Sequence, residues 1–342
     1  MTGVKALSIT QRKSFKLTIL DFPEPKLGPG EFLIENVAVA QNPVDWKQVL
    51  YDTGIPQLPW TNGADVAGTI VKVGPNVKGF AVGDRVLSFL SRQTARHGAY
   101  QTHSISSADR TVKVPNNYTF EQASTVPLGY VTAGASLVAT LGVSLLTTSD
   151  LRGADRRVTG KPLLVWGGSS SVGAFAVQLG KLAGYTVIST ASPANHEYVR
   201  SLGASEVFDY HSPDVVANIR AAAGPNLSLV FDAISENGSL EASAAAITAS
   251  KGVVASVLGA VKSPLPHVKI IASGARLAYE QPDVGKKIFE ALQGLLDRGE
   301  LIPNPVTIMS GGLNGVEAGW ELGRTHAISG EKLVYRMADT VF

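Results

Sequence analysis

The sequence contains no cysteine in its 342 residues. This absence excludes disulfide bonds, a thiolate nucleophile, a cysteine-ligated zinc and an iron–sulfur cluster. A metal would have to bind to His, Asp and Glu, and the six His are scattered without the spacing of a metal motif. We therefore expect no metal site, and the missing disulfides give no support for secretion.

Long apolar runs and an excess of one charge are also missing. No run reaches the roughly 18 apolar residues of a membrane-spanning helix, and the first ten residues lack the apolar core of a signal peptide. Lys and Arg number 30 against 28 Asp and Glu, a net charge of +2, whereas a nucleic-acid binder shows a basic excess. These features predict a cytoplasmic protein that binds neither membrane nor nucleic acid.

The composition favours a large folded interior with many turns. Apolar residues make up 44% of the chain, charged residues 17%, and glycines number 35. A disordered chain has few apolar residues and a high net charge, so this composition argues against disorder. A domain of roughly 150 residues is typical, so the length predicts about two domains.

Strands separated by Gly and Pro turns dominate the first part of the chain. Strands are predicted over 5–9, 15–20, 32–40 and 66–73, with another starting at Gly83. Many short strands of this kind are typical of a partly closed barrel.

Strands and helices alternate after Pro127. Strands are predicted over 163–166, 186–190, 206–210, 228–234, 253–258 and 268–272, with helices over 171–184, 193–202, 214–222, 240–248 and 283–297. This alternation is typical of a parallel doubly wound sheet. The tail adds a helix over about 314–323 and a strand over 332–336, and the segment 147–161 reads as an exposed connection.

A glycine-rich segment, Gly167 to Gly173, directly follows the apolar strand 163–166. A dinucleotide site needs a strand, a tight glycine turn and a helix N-terminus aimed at the pyrophosphate. Ser170 replaces the middle glycine of the six-residue motif, so the strict pattern is not met. An ordinary serine-rich turn is the alternative, but the flanking strand and helix favour a phosphate-binding turn.

The end of the next strand bears on the choice of cofactor. An NAD site usually has Asp or Glu about 20 residues after the glycine turn, to bind the ribose 2′-hydroxyl. Here the strand ends in Ser189-Thr190-Ala191-Ser192, and the next acid, Glu197, lies in the following helix. A neutral, hydroxyl-rich end with His196 and Arg200 nearby suits a 2′-phosphate, so NADP(H) is favoured over a solvated loop without a ligand.

Several short motifs in fixed order resemble one superfamily over nearly the whole chain. They are Asn42-Pro43-Val44-Asp45, Gly63-x-Asp65-Val66-x-Gly68, Gly83-Asp84-Arg85-Val86, Pro127-Leu128-Gly129, the glycine-rich segment, Thr190-Ala191-Ser192-Pro193, Leu202-Gly203-Ala204, Phe208-Asp209-Tyr210 and Ser329-Gly330-Glu331-Lys332-Leu333-Val334. The chain thereby resembles the medium-chain dehydrogenase/reductase superfamily. Within it, the chain is similar to the zinc-free quinone reductase and trans-acting enoyl reductase branch, near fungal CipB-like proteins.

The resemblance implies a fold and a domain plan. The fold is α/β, with a GroES-like β-barrel domain over 1–126 and 304–342 and a Rossmann domain with a doubly wound parallel sheet over 127–303. Zinc-dependent relatives carry a Cys near the Asn42 position and Gly-His-Glu where this chain has Gly63-Ala64-Asp65. The resemblance therefore implies no catalytic zinc, with Asp65 retained as a turn or supporting residue.

The resemblance also assigns site residues. It places at NADP(H) the residues Val44, Asp45, Trp46, Lys47, Ser169, Ser170, Ser171, Val172, Ser192, Pro193, Ala194, Asn195, Tyr210, Leu258, Gly259, Ile328 and Ser329. The implied substrate residues are Asn42, Tyr51, Pro127, Leu128, Gly129, Tyr130 and Thr132, with 274–278 on the far side of the channel. Lys47 and Thr132 are the candidate catalytic donors.

Simpler structural roles compete with some of these assignments. Asp45 followed by Gln48 also reads as a helix capping box with Asp45 as the N-cap. Tyr210 could instead be the last residue of its strand, and Thr132 could be a helix residue whose hydroxyl bonds to its own backbone. Lys47 could be an ordinary solvated lysine.

The function implied is hydride transfer from NADPH to an electron-poor small molecule: an enone, an enoyl thioester, including a carrier-bound one, or a quinone. The cofactor carries that chemistry, so no metal or protein nucleophile is required. Enoyl thioester reductases of the mitochondrial type have a catalytic Tyr where this chain has Ile55, which weakens the thioester alternative. Two other functions stay open: a non-redox binding protein or cyclase, and a zinc-independent alcohol or aldehyde oxidoreductase. The sequence is also compatible with either a monomer or a homodimer.

Overall fold

A computed structural model describes residues 3–90, 94–145 and 158–342. By its internal contacts the chain divides into a first unit, residues 1–128 with 303–342, and a second unit, residues 129–302. Most of the connection predicted over 147–161 lies outside the described residues. Its last residues, 158–161, are exposed as expected.

The first unit is built mainly from antiparallel strands. In chain order these are β1 (Val4–Ile9), β2 (Leu17–Phe22), β3 (Glu31–Ala40), β4 (Trp60–Thr61), β5 (Asp65–Val73), β6 (Arg85–Phe89), β7 (His103–Ser107) and β8 (Thr111–Lys113). Helix α1 (Pro43–Tyr51) follows β3, α2 (Phe120–Ser124) follows β8, and α3 (Pro127–Ala135) begins in the first unit and continues into the second. A π-helical turn, Ser136–Thr140, continues α3.

The second unit alternates strands and helices. Its strands are β9 (Pro162–Trp166), β10 (Thr186–Thr190), β11 (Glu206–Phe208), β12 (Leu229–Asp232), β13 (Gly252–Ser256) and β14 (Val268–Ala272). Its helices are α4 (Ser171–Leu182), α5 (His196–Ser201), α6 (Val215–Ala223), α7 (Ser239–Ala246), α8 (Leu277–Glu280) and α9 (Pro282–Asp297). The chain then returns to the first unit through β15 (Val306–Ile308), α10 (Val316–Arg324) and β16 (Lys332–Arg336).

Three sheets organise these strands. The first unit contains a small sheet of order β2-β1-β4 and a larger one of order β15-β16-β3-β5-β6-β8, with β7 also paired to β3. In the second unit six strands pair in parallel in the order β11-β10-β9-β12-β13-β14. The order reverses direction beside β9, which is the doubly wound arrangement expected from the sequence.

Each unit has its own apolar core. In the first unit Trp46, Trp60, Tyr100 and Trp320 are buried in one cluster with the strand residues around them. In the second unit Leu164 of the central strand β9 is buried between helices and neighbouring strands. The strands β9, β12 and β13 are buried over nearly their whole length because helices cover both faces of a parallel sheet.

Several predicted element bounds differ from the structure. The strand predicted over 15–20 lies two residues later, and the helix predicted over 193–202 begins as a 3₁₀ turn before α5. The strand predicted over 206–210 ends at Phe208, because the chain turns at Asp209. The strand predicted over 228–234 ends at Asp232, because the Asp232 carboxylate accepts the amide hydrogens of Ile234 and Ser235 and folds this segment into a turn.

Candidate nucleotide-binding site and a buried polar cluster

The glycine turn joins strand β9 to helix α4. Gly167 has φ +80°, in the left-handed region that favours glycine. A Cβ added at Gly168 would lie 2.1 Å from Ser189 Oγ, and one at Gly173 would lie 2.1 Å from the Gly167 carbonyl oxygen. These three positions therefore require glycine, which lets the backbone of the turn pack closely against the sheet and the helix.

The turn is fixed to the end of the neighbouring strand β10. The amide of Gly167 donates to Thr190 Oγ1 at 2.9 Å, and the amide of Gly168 donates to the Thr190 carbonyl oxygen at 2.8 Å. Thr190 is fully buried. One residue thus holds both glycines, and it does so at the strand end that was predicted to face the cofactor.

Helix α4 begins directly at the turn. Ser170 is its N-cap, and its hydroxyl accepts the amide hydrogen of Gly173 at 3.0 Å. Backbone amides in the first turn of a helix point out of its end, where the helix dipole also favours negative charge. The glycine turn and this helix end together form the cradle that a pyrophosphate requires.

The loop after β10 carries only neutral or basic side chains. Asn195 Nδ2 donates to Ser192 Oγ at 3.1 Å, and His196 Nε2 donates to the Ala191 carbonyl oxygen at 3.0 Å. Glu197, the nearest acid along the chain, is exposed in the first turn of α5. The arrangement brings together the residues predicted from the sequence for a 2′-phosphate.

The end of strand β11 lies beside this loop. Tyr210 lies two residues beyond the strand, is 44% exposed, and its ring centroid is 4.0 Å from that of His211. Asp209 accepts the His211 amide at 3.0 Å, and its pKa is lowered by that bond and by the His211 ring. The negative charge of Asp209 therefore lies next to a histidine. Tyr210 lies in the turn after β11, so it is not the last residue of its strand.

Asp232, at the end of β12, was not predicted from the sequence. Its Oδ1 accepts the amides of Ile234 and Ser235 at 3.0 and 2.7 Å, and its Oδ2 accepts the Ser243 hydroxyl at 3.0 Å. Burial raises the pKa of Asp232, although these hydrogen bonds oppose the shift. An Asp immediately after the apolar run Leu229 to Phe231 was the signal that could have identified it.

A serine pair continues this edge to the loop after β13. Ser256 Oγ donates to Ser235 Oγ at 3.0 Å, and the Val257 amide also donates to Ser235 Oγ at 3.0 Å. The chain then reaches the predicted cofactor residues Leu258, which is 51% exposed, and Gly259. The predicted strand over 253–258 thus ends two residues early, and both residues lie in a loop.

The carboxyl ends of β11, β10, β9, β12 and β13 lie side by side because these strands are parallel neighbours. In an open parallel sheet a ligand binds outside this edge, at the point where strand order reverses. The glycine turn, the Ser192 loop, Asp232 and Leu258 all follow these strand ends. The structure therefore brings the second unit's predicted nucleotide residues to one edge of one sheet.

Helix α3 carries most of the predicted substrate residues of the second unit. A Cβ at Gly129 would lie 2.9 Å from Ser171 Oγ, so this helix packs tightly against the start of α4. Tyr130 is buried, its hydroxyl donates to the Ile288 carbonyl oxygen at 3.4 Å, and burial raises its pKa. Thr132 is 8% exposed. The further predicted segment 274–278 includes the start of α8.

Helix α1 of the first unit carries the residues predicted beside the nicotinamide. Its N-cap is Asn42, whose amide donates to Asp45 Oδ2 at 2.8 Å. The N-cap predicted at Asp45 therefore lies three residues earlier, at Asn42, because Pro43 fits the first helical position and Asp45 closes the capping interaction from the third. Lys47 Nζ lies 5.4 Å from the Trp46 ring, and Tyr51, at the helix end, is 62% exposed.

A polar cluster is buried beside the start of α1. Lys332 Nζ lies 2.7 Å from Asp65 Oδ2 and 2.9 Å from Asn42 Oδ1, and Asn42 Nδ2 donates to Asp65 Oδ2 at 2.8 Å. Asp65 Oδ1 accepts the amide of Leu128 at 2.7 Å. Asn42, Asp65 and Lys332 are each at most 3% exposed. We call these three residues the Lys332 cluster.

A second buried carboxylate adjoins this cluster. Asp45 Oδ2 accepts the hydroxyl of Tyr100 at 2.9 Å, and the Asp45 carbonyl oxygen accepts Asn62 Nδ2 at 2.9 Å. Burial, together with the nearby Asp45, raises the pKa of Tyr100 well above its usual value. Asp45 therefore has a clear structural role in the first unit.

Pro127, Ile328 and Ser329 complete the predicted residues of the first unit. Pro127 is buried at the start of α3, Ile328 is half-buried, and Ser329 is exposed in the loop before β16. Within 3–90, 94–145 and 158–342, no three His, Asp or Glu side chains are grouped as metal ligands. In the same ranges, no helix has the length and apolarity needed to cross a membrane.

Both parts of the chain match known protein families. Residues 28–116 match the alcohol dehydrogenase GroES-like domain, and residues 171–284 match the zinc-binding dehydrogenase family. A trans-enoyl reductase of Aspergillus niger is 34% identical over 343 residues, 92% of each chain. The chain belongs to the medium-chain dehydrogenase/reductase superfamily. As an oxidoreductase of this superfamily, it binds a nicotinamide cofactor on its Rossmann-like sheet.

Two further similarities agree with this assignment. A trans-enoyl reductase of Petromyces alliaceus is 35% identical over 338 residues, 92% of each chain. The crystal structure of the CurK enoyl reductase superposes with a TM-score of 0.79 at 22% identity, covering 97% of this chain and 99% of that one. The superposition supports the fold, a GroES-like domain with a Rossmann-like parallel sheet, as the sequence predicted.

Proposed function

We propose that this medium-chain reductase transfers hydride from NADPH to the activated C=C bond of an enone or enoyl thioester, or to a quinone, without a metal. The observation that carries the proposal is the glycine turn held by Thr190 at a strand end without a carboxylate. The relatives named as trans-enoyl reductases favour a C=C acceptor.

The loop after β10 supports the proposed preference for NADPH. A carboxylate at this point would bind the 2′-hydroxyl of NADH and repel a 2′-phosphate. Ser192 and Asn195 instead offer a hydroxyl and an amide, and His196 and Arg200 add basic groups nearby. The acidic Asp209 lies beyond the neighbouring strand β11 and accepts hydrogen bonds from the His211 amide and ring.

The residues of the Lys332 cluster and the neighbouring Ala64 support the proposed independence from zinc. Asn42 stands where zinc-dependent relatives have a thiolate, and Ala64 stands where they have a histidine. The Asp65 carboxylate is engaged by an ammonium, an amide side chain and a backbone amide. A positive side chain at this point disfavours a second cation by direct repulsion.

The chain's own residues must position the acceptor and stabilise the charge that develops on its oxygen. The bound cofactor supplies the hydride, so the protein contributes binding, orientation and hydrogen-bond donors. We assign the donor role to Lys47 on α1 and Thr132 on α3. Pro127, Leu128, Gly129, Tyr130, Asn42 and Tyr51 are the proposed acceptor-side residues.

The decisive experiment follows NADPH oxidation by the purified protein with benzylideneacetone, crotonyl-CoA and phenanthrenequinone, with and without EDTA. We expect turnover with at least one acceptor, faster with NADPH than with NADH, and unchanged by the chelator. NADPH binding without oxidation of any acceptor would favour a non-redox protein or cyclase. Alcohol-dependent reduction of NADP⁺ that EDTA does not inhibit would favour the zinc-independent alcohol oxidoreductase.

A further inference from the structure

The Lys332 cluster joins parts of the first unit that are far apart in sequence. Lys332 comes from β16, Asp65 from the start of β5 and Asn42 from the N-cap of α1, and Leu128 lies at the start of α3. The contacts span up to 290 positions of the chain. A single buried group of three side chains thus fixes the relative positions of four separate segments.

Every polar end of the cluster has a defined partner. The Lys332 ammonium donates to Asn42 Oδ1 and to Asp65 Oδ2, and Asp65 uses both of its carboxylate oxygens. The orientation of the Asn42 amide follows from this network, because the reversed amide would direct its NH₂ group at the ammonium. These directional bonds hold the three side chains in the observed arrangement.

Stability alone does not explain such a pair. Removing two charges from water costs about as much as their attraction returns, and well-packed apolar residues of the same volume are often equally stabilising. An apolar replacement would make no directional hydrogen bonds, since it would neither orient the Asn42 side-chain amide nor accept the backbone amide hydrogen of Leu128. The distinctive contribution of this pair is therefore geometric.

We propose that Lys332 is a positioning residue for the reductase. Its ammonium fixes Asn42 and Asp65, and through them the first turn of α1 and the amide of Leu128. The backbone N–H of Asn42 in turn donates to the Asp45 carboxylate, so the cluster sets the position of the helix turn that carries Lys47. This inference rests on the proposed function, because it concerns the segments assigned to that site.

The test separates positioning from stability. Lys332→Met leaves the Asp65 charge buried without its partner, so we expect the Tm to fall by about 10 °C and turnover to be lost. The double variant Lys332→Met with Asp65→Asn removes both charges and keeps an acceptor for Leu128, so its Tm should return close to that of wild type. Its kcat should stay lower by about 10²-fold, because small displacements of positioned groups are costly to catalysis.

The matched control is Lys5→Met, which breaks the exposed pair of Lys5 with Asp21 in the same unit. It should change neither Tm nor kcat, since exposed pairs contribute little. If the double variant recovers kcat together with Tm, the pair is only a structural pair and the proposal fails.

Hydrogen exchange of residues 42–48, followed by mass spectrometry, supplies a readout that does not need activity. At equal global stability these amides should exchange faster in the double variant than in wild type, and equal rates would overturn the proposal. A wild-type protein that reduces none of the acceptors would refute the proposed function, and the exchange rates would still decide the role of Lys332.

Discussion

The backbone amide of Gly167 donates to the side-chain hydroxyl of Thr190 at 2.9 Å, across two adjacent parallel strands. The adjoining Gly168 amide bonds to the carbonyl oxygen of the same threonine. Thr190 therefore determines where the glycine turn lies, and with it the phosphate cradle. The residues proposed to bind phosphate follow β9, whereas the residue that positions the turn lies at the end of β10.

We expect Thr190→Val to weaken nucleotide binding although its side chain has almost the same shape. The substitution leaves the buried Gly167 amide without its acceptor, which costs about 1–3 kcal/mol. The Kd for NADPH, measured by quenching of protein fluorescence, should rise about tenfold, the equivalent of about 1.4 kcal/mol. Thr190→Ser keeps the hydroxyl and should bind nearly as wild type does. Equal affinity of the Val and Ser variants would refute the role given to this bond.

Ser192→Asp should change the cofactor preference. It places a carboxylate beside the expected 2′-phosphate, so NADPH should lose affinity by an order of magnitude or more while NADH changes little. Dissociation constants for both nucleotides measure the ratio directly. Ser205→Asp adds the same charge before β11, at the opposite end of the parallel strands, and should leave the ratio unchanged. A constant ratio in the Ser192 variant would remove this residue from the site.

Lys47→Met tests the proposed donor on α1. Loss of a donor to the developing oxyanion should lower kcat by about 10²-fold, in the range typical of such groups, with a smaller effect on acceptor KM. Steady-state kinetics at saturating NADPH provide both constants. The exposed Lys78 is a control for the same substitution. Unchanged kcat would assign Lys47 to the solvated surface.

Local sequence signals predicted the glycine turn and most strands of the parallel sheet well. The turn could be predicted because Gly167, Gly168 and Gly173 are glycines, and in the structure each of these positions leaves no room for a side chain. The Lys332 cluster was not predicted, since a lysine in the strand 332–336 carries no local sign that Asp65 lies beside it. The start of α1 was misplaced for a similar reason: Asp45 and Gln48 fit a capping box locally, but Asn42 and Asp45 form the actual one.

Asp232 provides a test in which stability depends on pH. Burial raises its pKa in the folded protein above the roughly 3.9 of an unfolded aspartate. Below both pKa values the carboxyl group is neutral in the folded and the unfolded chain, so Asp and Asn are equivalent there. Between the two pKa values the unfolded chain releases a proton that the folded protein retains, so the contribution of this group to stability falls as pH rises.

Asp232→Asn should therefore become progressively more stable than wild type as pH rises from about 4 through the folded pKa, after which the difference stays constant. The asparagine can still accept the amides of Ile234 and Ser235, and Ser243 can donate or accept. Thermal unfolding of both proteins across this pH range measures the difference in Tm, and Asp297→Asn, at an exposed aspartate, controls for loss of a carboxylate. A Tm difference that shrinks with rising pH would show that the hydrogen bonds to the ionised Asp232 outweigh the cost of its burial.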